Sequence, residues 1–511
     1  MTTDGSGNIR RYAVVGTSAR ADMYVGALAD VHARDGVIVA WCDPNGVRMS
    51  YYDEVLAAAG RPAPARYQPG EFDALLAKER PGAVIVTSPD HTHPRYTAAA
   101  LAAGCDVILE KPVATDADGA RLLSDAASAA ADAGTGELIV TFNYRYSPRN
   151  SALRQVIADG NIGNVTSVHF EWVLDTVHGA DYFRRWHREK SASGGLLVHK
   201  ASHHFDLVNW WIGDTPVSVY ARGALRFYGD INAKERGLGD RPERSYRAPG
   251  MADDPFALDL AADDRLRRLY LEAEREDGYL RDRDVFSPGI TIEDNAAVLV
   301  TYGSGAFLTY SLNAHSPWEG YRVSVNGDAG RAELEVVERG HVRSVSDGGI
   351  NGRPAVDPMM SVEDPESRVD VRPVSERLVV QRHWEPAYTV PIVCGSGGHG
   401  GGGDARLLNA VFRRDGAPDP LGRQAGYIDG LRSVVTGLAA NKSIATGRVV
   451  NVGEFGIPLT RGAAALRRSA GPAAVEPEHE LVQVARPHRL HPGRPARPAE
   501  RSCRTGDQGR A

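Results

Sequence analysis

The chain has 511 residues, of which 42% are hydrophobic and 24% charged, with a formal net charge of -6; this is the composition of a globular protein with core enough for two or three domains. The slightly acidic balance gives no electrostatic reason to expect nucleic acid or an anionic membrane as a partner. Its four cysteines, Cys42, Cys105, Cys394 and Cys503, lie far apart and form no CxxC pair, which argues against a disulfide framework or a thiolate zinc site.

The first residues, 1–10, are polar and expected to be flexible. They contain no apolar leader, and no later stretch has the length to span a bilayer, so a cytoplasmic protein is expected. RYAVVG (Arg11–Gly16) reads as a short buried strand ending on a glycine, followed by a helix over about Ala21–Arg34. VIVAWCD reads as a second strand, ending at Asp43, and helices are expected near Arg48–Ala59 and Phe72–Lys78. AVIVTSP, a helix over Arg95–Ala103, DVILEKP with its end at Glu110, a helix over Arg121–Ala133 and LIVTFNYRY continue the alternation. Strands that are apolar throughout and alternate with helices predict a parallel sheet covered on both faces. Residues 11–145 are therefore expected to form a doubly wound α/β dinucleotide-binding domain.

After Tyr146 the pattern changes. NVTSVHFEWVL, AAVLVTY, AFLTYSLNA, YRVSVNG and RAELEVV alternate apolar and polar residues. This predicts a large, mostly antiparallel open sheet in a second α/β domain over residues 146–465. A helix over Leu196–Ile212 precedes most of these strands. Residues 227–288 form a charged insertion, expected to contain an exposed helix of mixed charge. GSGGHGGGGD (Gly395–Asp404) is a glycine-rich loop whose His399 and Asp404 could approach a site, and helices over Ala405–Phe412 and Arg423–Ala440 follow. Residues 469–511 are rich in Pro, Arg and Ala without periodicity, and disorder is expected there.

Three segments carry chemistry. The first is the turn G-T-S-A-R-A, where Gly16 supplies a tight bend and Ser18 and Ala21 are small enough for Thr17, Ser18, Arg20 and Ala21 to approach a pyrophosphate at a helix N-terminus. Asp43, at the end of the next strand, suits ribose hydroxyls and so NAD; Arg48 nearby keeps NADP open. The second is E-K-P (Glu110–Pro112), which ends a strand at the carboxyl edge of the sheet, where Lys111 can face a ligand crevice. The third is GGLLVHKASHHFDLVNWW (Gly194–Trp211), which sets His199, Lys200, His203 and His204 within six residues of an apolar helix and follows them with Asp206. His199 and His203 are four apart and on a continuous helix would share a face. A proton-transfer site and a metal site both suit that pattern. Lys200 is expected to reach the surface, and Trp210 and Trp211 to lie in the core. Ahead of this helix, DTVHGADYFRRWH offers Asp175, His178, Tyr182, Arg185 and His187, donors and aromatics of the kind sugar sites use.

The glycine turn, TSPDHTH (Thr87–His93), EKPVA, NYRY (Asn143–Tyr146) and the GG-x-L…H-x-x-D helix occur in an order and spacing that resemble the Gfo/Idh/MocA oxidoreductase family over about residues 10–465. The resemblance implies a Rossmann domain followed by an α/β domain with a large open sheet, often an oligomer face, and hence a homo-oligomer such as a dimer or tetramer. It implies hydride transfer between a nicotinamide cofactor and a sugar or cyclitol, with Lys111 as the family lysine and His203 as the family acid–base. Pro89, His91, Glu110 and Lys111 join the turn residues as expected cofactor contacts. Tyr144, Arg145 and His204 join His178, Tyr182, Arg185 and His187 as expected substrate contacts. The chain departs from the family pattern at His199, where an aspartate is usual; glycoside-modifying branches carry the same HK-x-x-HHFD.

The reading that follows is an NAD- or NADP-dependent oxidoreductase acting on a sugar or glycoside, with His203 moving the proton, Lys111 supporting charge on oxygen and His199 tuning the pair. It requires no metal. Two alternatives stand beside it. One is a metal-assisted lyase or hydrolase in which His199 and His203 join Glu171 or Asp206. The other is a cofactor-binding sensor without turnover, suggested by the substituted glycines.

Overall fold

The computed structural model describes residues 9–251, 253–342, 372–393, 402–413 and 418–460. Six parallel strands build the first sheet: β1 (Arg10–Val15), β2 (Gly36–Cys42), β3 (Ala65–Tyr67), β4 (Ala83–Val86), β5 (Asp106–Leu109) and β6 (Leu138–Val140). Their spatial order is β6-β5-β4-β1-β2-β3, with the antiparallel pair Ala425–Gly426 added beside β6. The order reverses between β1 and β4, and such a switch point opens a crevice at the carboxyl ends of the strands. β1, β4 and β5 are buried on both faces along most of their length, because helices cover the sheet on either side. This is the α/β doubly wound architecture expected for the first part of the chain. β3 is an addition, and the last predicted strand stops at Val140, short of Asn143–Tyr146, which forms a 3₁₀ turn.

The second sheet contains β7 (Val165–Asp175), β8 (Pro216–Ala224), β9 (Asn295–Tyr302), β10 (Phe307–Ser316), β11 (Glu319–Gly327), β12 (Gly330–Arg339), β13 (Ser375–Arg382) and β14 (Tyr388–Val390). They run in the order β14-β13-β12-β11-β7-β10-β9-β8, closed by the short strand Val450–Asn451. Every pairing is antiparallel except β7 with β10. β9 shows strict alternation, with one face buried and one exposed.

The helical segment after Gly195 lies on the buried face of this sheet. Phe205 packs edge-on against Tyr310, and Trp211 lies against Phe170, so this stretch is core, as expected of both tryptophans. The long helix Tyr427–Thr446 covers it. Gly437 permits the contact: a Cβ there would stand 2.3 Å from the carbonyl oxygen of Leu197.

One expectation fails in an informative way. Leu196–Ile212 is not one helix but two pieces, Leu196–His199 and Ala201–Ile212, broken at Lys200. The amide of His203 bonds to the carbonyl of Lys200 at 3.3 Å. The carbonyl of His199 instead accepts from the Ser202 hydroxyl and from the ammonium of Lys111, both at 3.2 Å. The charged insertion carries the expected exposed helix of mixed charge only as the short Asp230–Glu235. Its second part is a succession of short turns, including a π-helical one over Arg267–Leu271, and it buries Leu266, Leu269 and Tyr270. His399, the stretch 469–511 expected to be disordered and residues 1–8 of the expected flexible stretch 1–10 lie outside the described residues, whereas Arg10 already belongs to β1.

Candidate active site

The carboxyl edge of the first sheet supplies the floor. Gly16 has φ +86°, and a Cβ on it would lie 2.6 Å from the Cα of Ser88 in the neighbouring turn. A glycine is therefore required twice over, by conformation and by the close approach of two backbones. That cradle fits a dinucleotide at the start of the following helix. The amides of Thr17 and Asn45 donate to Asp43 at 2.6 and 2.8 Å, which ties the glycine turn to the end of β2. His93 fastens the next two turns together, with its ring nitrogens 2.7 Å from the carbonyl of Pro112 and 2.9 Å from that of Ser88. This histidine closes the TSPDHTH segment (Thr87–His93), although no role was expected of it.

Lys111 follows β5, and its peptide bond to Pro112 is cis. Burial pushes its ammonium down to about 8, although Asp90 and Glu110 pull the other way. Its bond to the His199 carbonyl ties the first sheet to the broken helix. The Nδ1 of His199 lies 2.5 Å from Asp90 Oδ2. Burial favours the uncharged form of both partners, pushing Asp90 up and His199 down, and the Lys111 cation lowers His199 further. The ring of His203 stacks on Tyr144 with centroids 4.4 Å apart and meets Phe142 edge-on. Its Nδ1 is buried and has no hydrogen-bond partner among the described residues. Burial, then the Lys111 and Lys200 cations, hold His203 well below the usual imidazole range.

Lys200 does not reach the surface. It is buried, with Nζ 3.1 Å from the Tyr144 hydroxyl and about equally close to the Tyr144 and Trp172 rings, at 5.4 and 5.1 Å from their centroids. The break in the helix turns it inward.

The segment after β7 forms the opposite wall. His178 uses both ring nitrogens inside the protein, 2.6 Å from Glu319 Oε1 and 3.0 Å from the Tyr182 hydroxyl. Burial pushes Glu319 up to about 7. The Tyr182 ring stands edge-on to His199 at 5.6 Å. His187 stacks on Trp186 with centroids 3.7 Å apart and meets His199 edge-on at 4.1 Å. Arg185 bonds Asp181 at 2.8 Å and lies 3.4 Å from His187 Nε2. Arg185 and Trp186 are the partly exposed members of this wall.

The structure thus brings Lys111, His199, His203, Tyr144, Tyr182, Arg185 and His187 to one place, with Asp90, Lys200 and Trp186 added and Glu319 behind Tyr182 through His178. Asp90 stands in the TSPDHTH segment, so its signal was present; Glu319 lies in a distant strand and gave none. Six expected contacts are placed otherwise. Arg145 is bound by Asp206 at 2.5 and 2.8 Å and by Asp429 at 3.1 Å, a buried ion pair remote in kind from a substrate clamp. His204 donates or accepts at Tyr310, 2.6 Å away, and stacks on Trp172 under the sheet. Glu110 is taken by Arg20 and Tyr24, each at 2.6 Å; burial would raise it, but Arg20 and Tyr24 leave it below its usual range. His178 reaches the site only through Tyr182. Pro89 and His91 are exposed. The carboxylates of the metal reading are also absent from the cluster: Glu171 is exposed on β7 beside Arg322, and Asp206 serves Arg145. Among the described residues no helix is long and apolar enough to cross a membrane.

Comparison with known proteins agrees with this construction. The NAD-binding Rossmann fold of an oxidoreductase family matches residues 10–133, and the C-terminal alpha/beta domain of the same family matches residues 154–452. YteT of Bacillus subtilis (strain 168), which bears an oxidoreductase name, is 34% identical over 398 residues, covering 75% of this chain and 84% of its own. The inositol 2-dehydrogenase of Rhizobium meliloti (strain 1021) is 31% identical over 154 residues, 30% of this chain and 43% of that enzyme. In fold, the WlbA dehydrogenase of Bordetella pertussis, solved with NADH and UDP-GlcNAcA, aligns over 87% of this chain and 99% of its own with a TM-score of 0.54 at 18% identity. The switch-point crevice, the glycine cradle and these matches together make the chain an NAD-binding member of the Gfo/Idh/MocA oxidoreductase family.

Proposed function

We propose that this protein moves a hydride between a nicotinamide dinucleotide and a secondary alcohol or ketone of a sugar or glycoside, with His203 as acid–base and Lys111 beside it. The observation that carries the reading is the meeting of Lys111 from the first sheet with His199 and His203 from the broken helix, joined through the 3.2 Å bond from Lys111 Nζ to the His199 carbonyl. A bound nicotinamide would supply the hydride acceptor or donor. The protein's own work is then confined to the oxygen. His203, held neutral by burial and two cations, has a buried ring nitrogen, Nδ1, without a partner among the described residues, and this is the atom we assign to take a hydroxyl proton. The Lys111 ammonium stabilises the alkoxide that develops as the proton leaves. In the reverse direction the same pair returns the proton to the carbonyl oxygen.

The sugar class is supported by the lining. Trp186 is a partly exposed ring for stacking, and Arg185 provides donors at the rim, with the buried Tyr182 hydroxyl behind it. WlbA was solved with a nucleotide sugar and the Rhizobium enzyme is named for inositol, both polyhydroxylated ligands. The deciding experiment is calorimetry with NADH and NADPH followed by absorbance assays over a panel of sugars and glycosides. Absence of binding by either dinucleotide would sink the reading. Steady turnover that His203→Ala or Lys111→Ala abolishes would exclude a sensor, and turnover that survives chelation would exclude a metal requirement.

A further inference from the structure

The charged insertion does more than decorate the surface. Its residues 265–279 fold back onto the first sheet at the ends of β1 and β2, the edge that would carry the adenosine half of a dinucleotide. Tyr270 accepts at its hydroxyl from the amide of Ala19, in the glycine turn, at 3.2 Å, and Arg265 donates to the Ala19 carbonyl at 3.0 Å. Glu276 takes the amide of Gly46 and reaches that of Val47 at 3.4 Å, both at the start of the helix Gly46–Ala58. Asp277 binds Arg48 Nη1 at 2.6 Å and the Asn45 side chain at 3.0 Å, and the carbonyl of Leu269 takes Arg48 Nε at 3.0 Å.

These contacts fall on the groups that would distinguish two cofactors. A 2′-phosphate needs a cation such as Arg48 or the free amides of a helix N-terminus. Here Asp277 already neutralises the cation, and Glu276 already holds the amides. Asp43 adds a third carboxylate, so a phosphate dianion would enter a pocket edged by negative charge. A neutral ribose diol meets none of these costs. Arg48 even retains a donor for it: its Nη2 is buried, without a partner among the described residues.

We infer that Glu276 and Asp277, reaching across from the insertion, make the protein select NAD(H) against NADP(H). The inference rests on the nicotinamide reading above and adds to it the choice of dinucleotide and the residues that make the choice. Asp43 alone would give the ordinary preference of such folds; the insertion closes the route that Arg48 leaves open.

The test is calorimetric binding of NADH and NADPH to the full chain, its Glu276→Gln/Asp277→Asn variant and the single variant Glu276→Gln. The wild type is expected to bind NADH at least about tenfold tighter than NADPH. The double variant is expected to tighten NADPH about tenfold or more while NADH stays within about threefold, so that NADH binding also reports a folded site. Three results overturn the inference: a wild type that does not discriminate, equal tightening of both dinucleotides, which would make the insertion a plug rather than a selector, or no change in either. Glu276 is exposed, so the single variant answers the same question, with a smaller shift in the same direction, should the double variant lose NADH binding. A wild type that binds neither dinucleotide removes the function proposed above and this inference with it; one that binds both equally removes the inference alone.

Discussion

The ammonium of Lys111 bonds to the main-chain carbonyl of His199, and the helix that carries His199 breaks at the very next residue. The two facts have one cause. In an unbroken helix that carbonyl would receive the amide of His203, four residues on. Given to Lys111 and Ser202 instead, it fixes the lysine that follows the first sheet against the histidine pair of the broken helix. It also lets Lys200 turn inward beneath Tyr144.

A pH limb follows from the same contact. Burial sets Lys111 to about 8, and the role proposed for it requires the protonated form. A group needed protonated is lost as pH rises through its own pKa, so kcat/KM should be level below about pH 7 and fall above about pH 8, nearing tenfold per unit. Lys111→Arg keeps a charge that does not titrate in this range. It should give a lower rate that stays flat to about pH 10. A wild-type profile flat through pH 9, or a limb that persists in Lys111→Arg, would show that another group controls it.

His203 allows a cleaner separation of chemistry from binding. It stacks on Tyr144 and faces Phe142, and asparagine can occupy part of that slot without a charge. His203→Asn is expected to lower kcat by about 10²–10⁴-fold, the usual worth of a positioned acid–base. The dissociation constant for NADH should change by less than about threefold, since the cradle at Gly16 is untouched. Loss of both together would mean that His203 supports the structure and carries no proton.

Much of this was legible in the chain because the relevant signals are local. Val14, Val84 and Val107 belong to strands buried on both faces, and such strands announce themselves as unbroken apolar runs. β3, Ala65–Tyr67, has three residues and an arginine in the middle, so no period could reveal it. At the site, Lys111, His199 and His203 could be read from motifs. The destinations of Arg145 and His204 could not, because their partners, Asp206 and Tyr310, lie 61 and 106 residues away. The break at Lys200 was hidden for the opposite reason: the apolar pattern runs straight through it, while the group that captures the His199 carbonyl sits on another element.

Gly16 tests the cofactor cradle without touching the chemistry. Alanine there must adopt φ +86° and place its Cβ 2.6 Å from both Cα and N of Ser88. The left-handed conformation alone costs about 1–2 kcal/mol, and the clash with backbone cannot be relieved by turning a side chain. Gly16→Ala should lower thermal stability and raise the dissociation constant for NADH by about a hundredfold or more, a shift of about 2.7 kcal/mol. A variant that binds NADH as the wild type does would move the dinucleotide off this turn.

Arg145 and Asp206 separate a structural role from the substrate role that the sequence suggested. Both side chains are almost fully buried, 2% and 1% exposed, and they share two hydrogen bonds, with Asp429 on the same guanidinium. Burial already pushes Asp206 up to about 7 against the pull of Arg145, so removing Arg145 leaves a buried acid without its counter-ion, at a cost of about 3–5 kcal/mol. Arg145→Met should therefore reduce unfolding free energy by about that amount in a denaturant titration. Asp206→Asn should do so less, because the amide oxygen can still accept from Arg145 and Asp429 still balances its charge. Where the Asp206→Asn protein folds, its KM for a turned-over sugar should match the wild type within about twofold, since neither residue belongs to the cluster around Lys111. A KM raised tenfold or more at unchanged stability would return Arg145 to the substrate site.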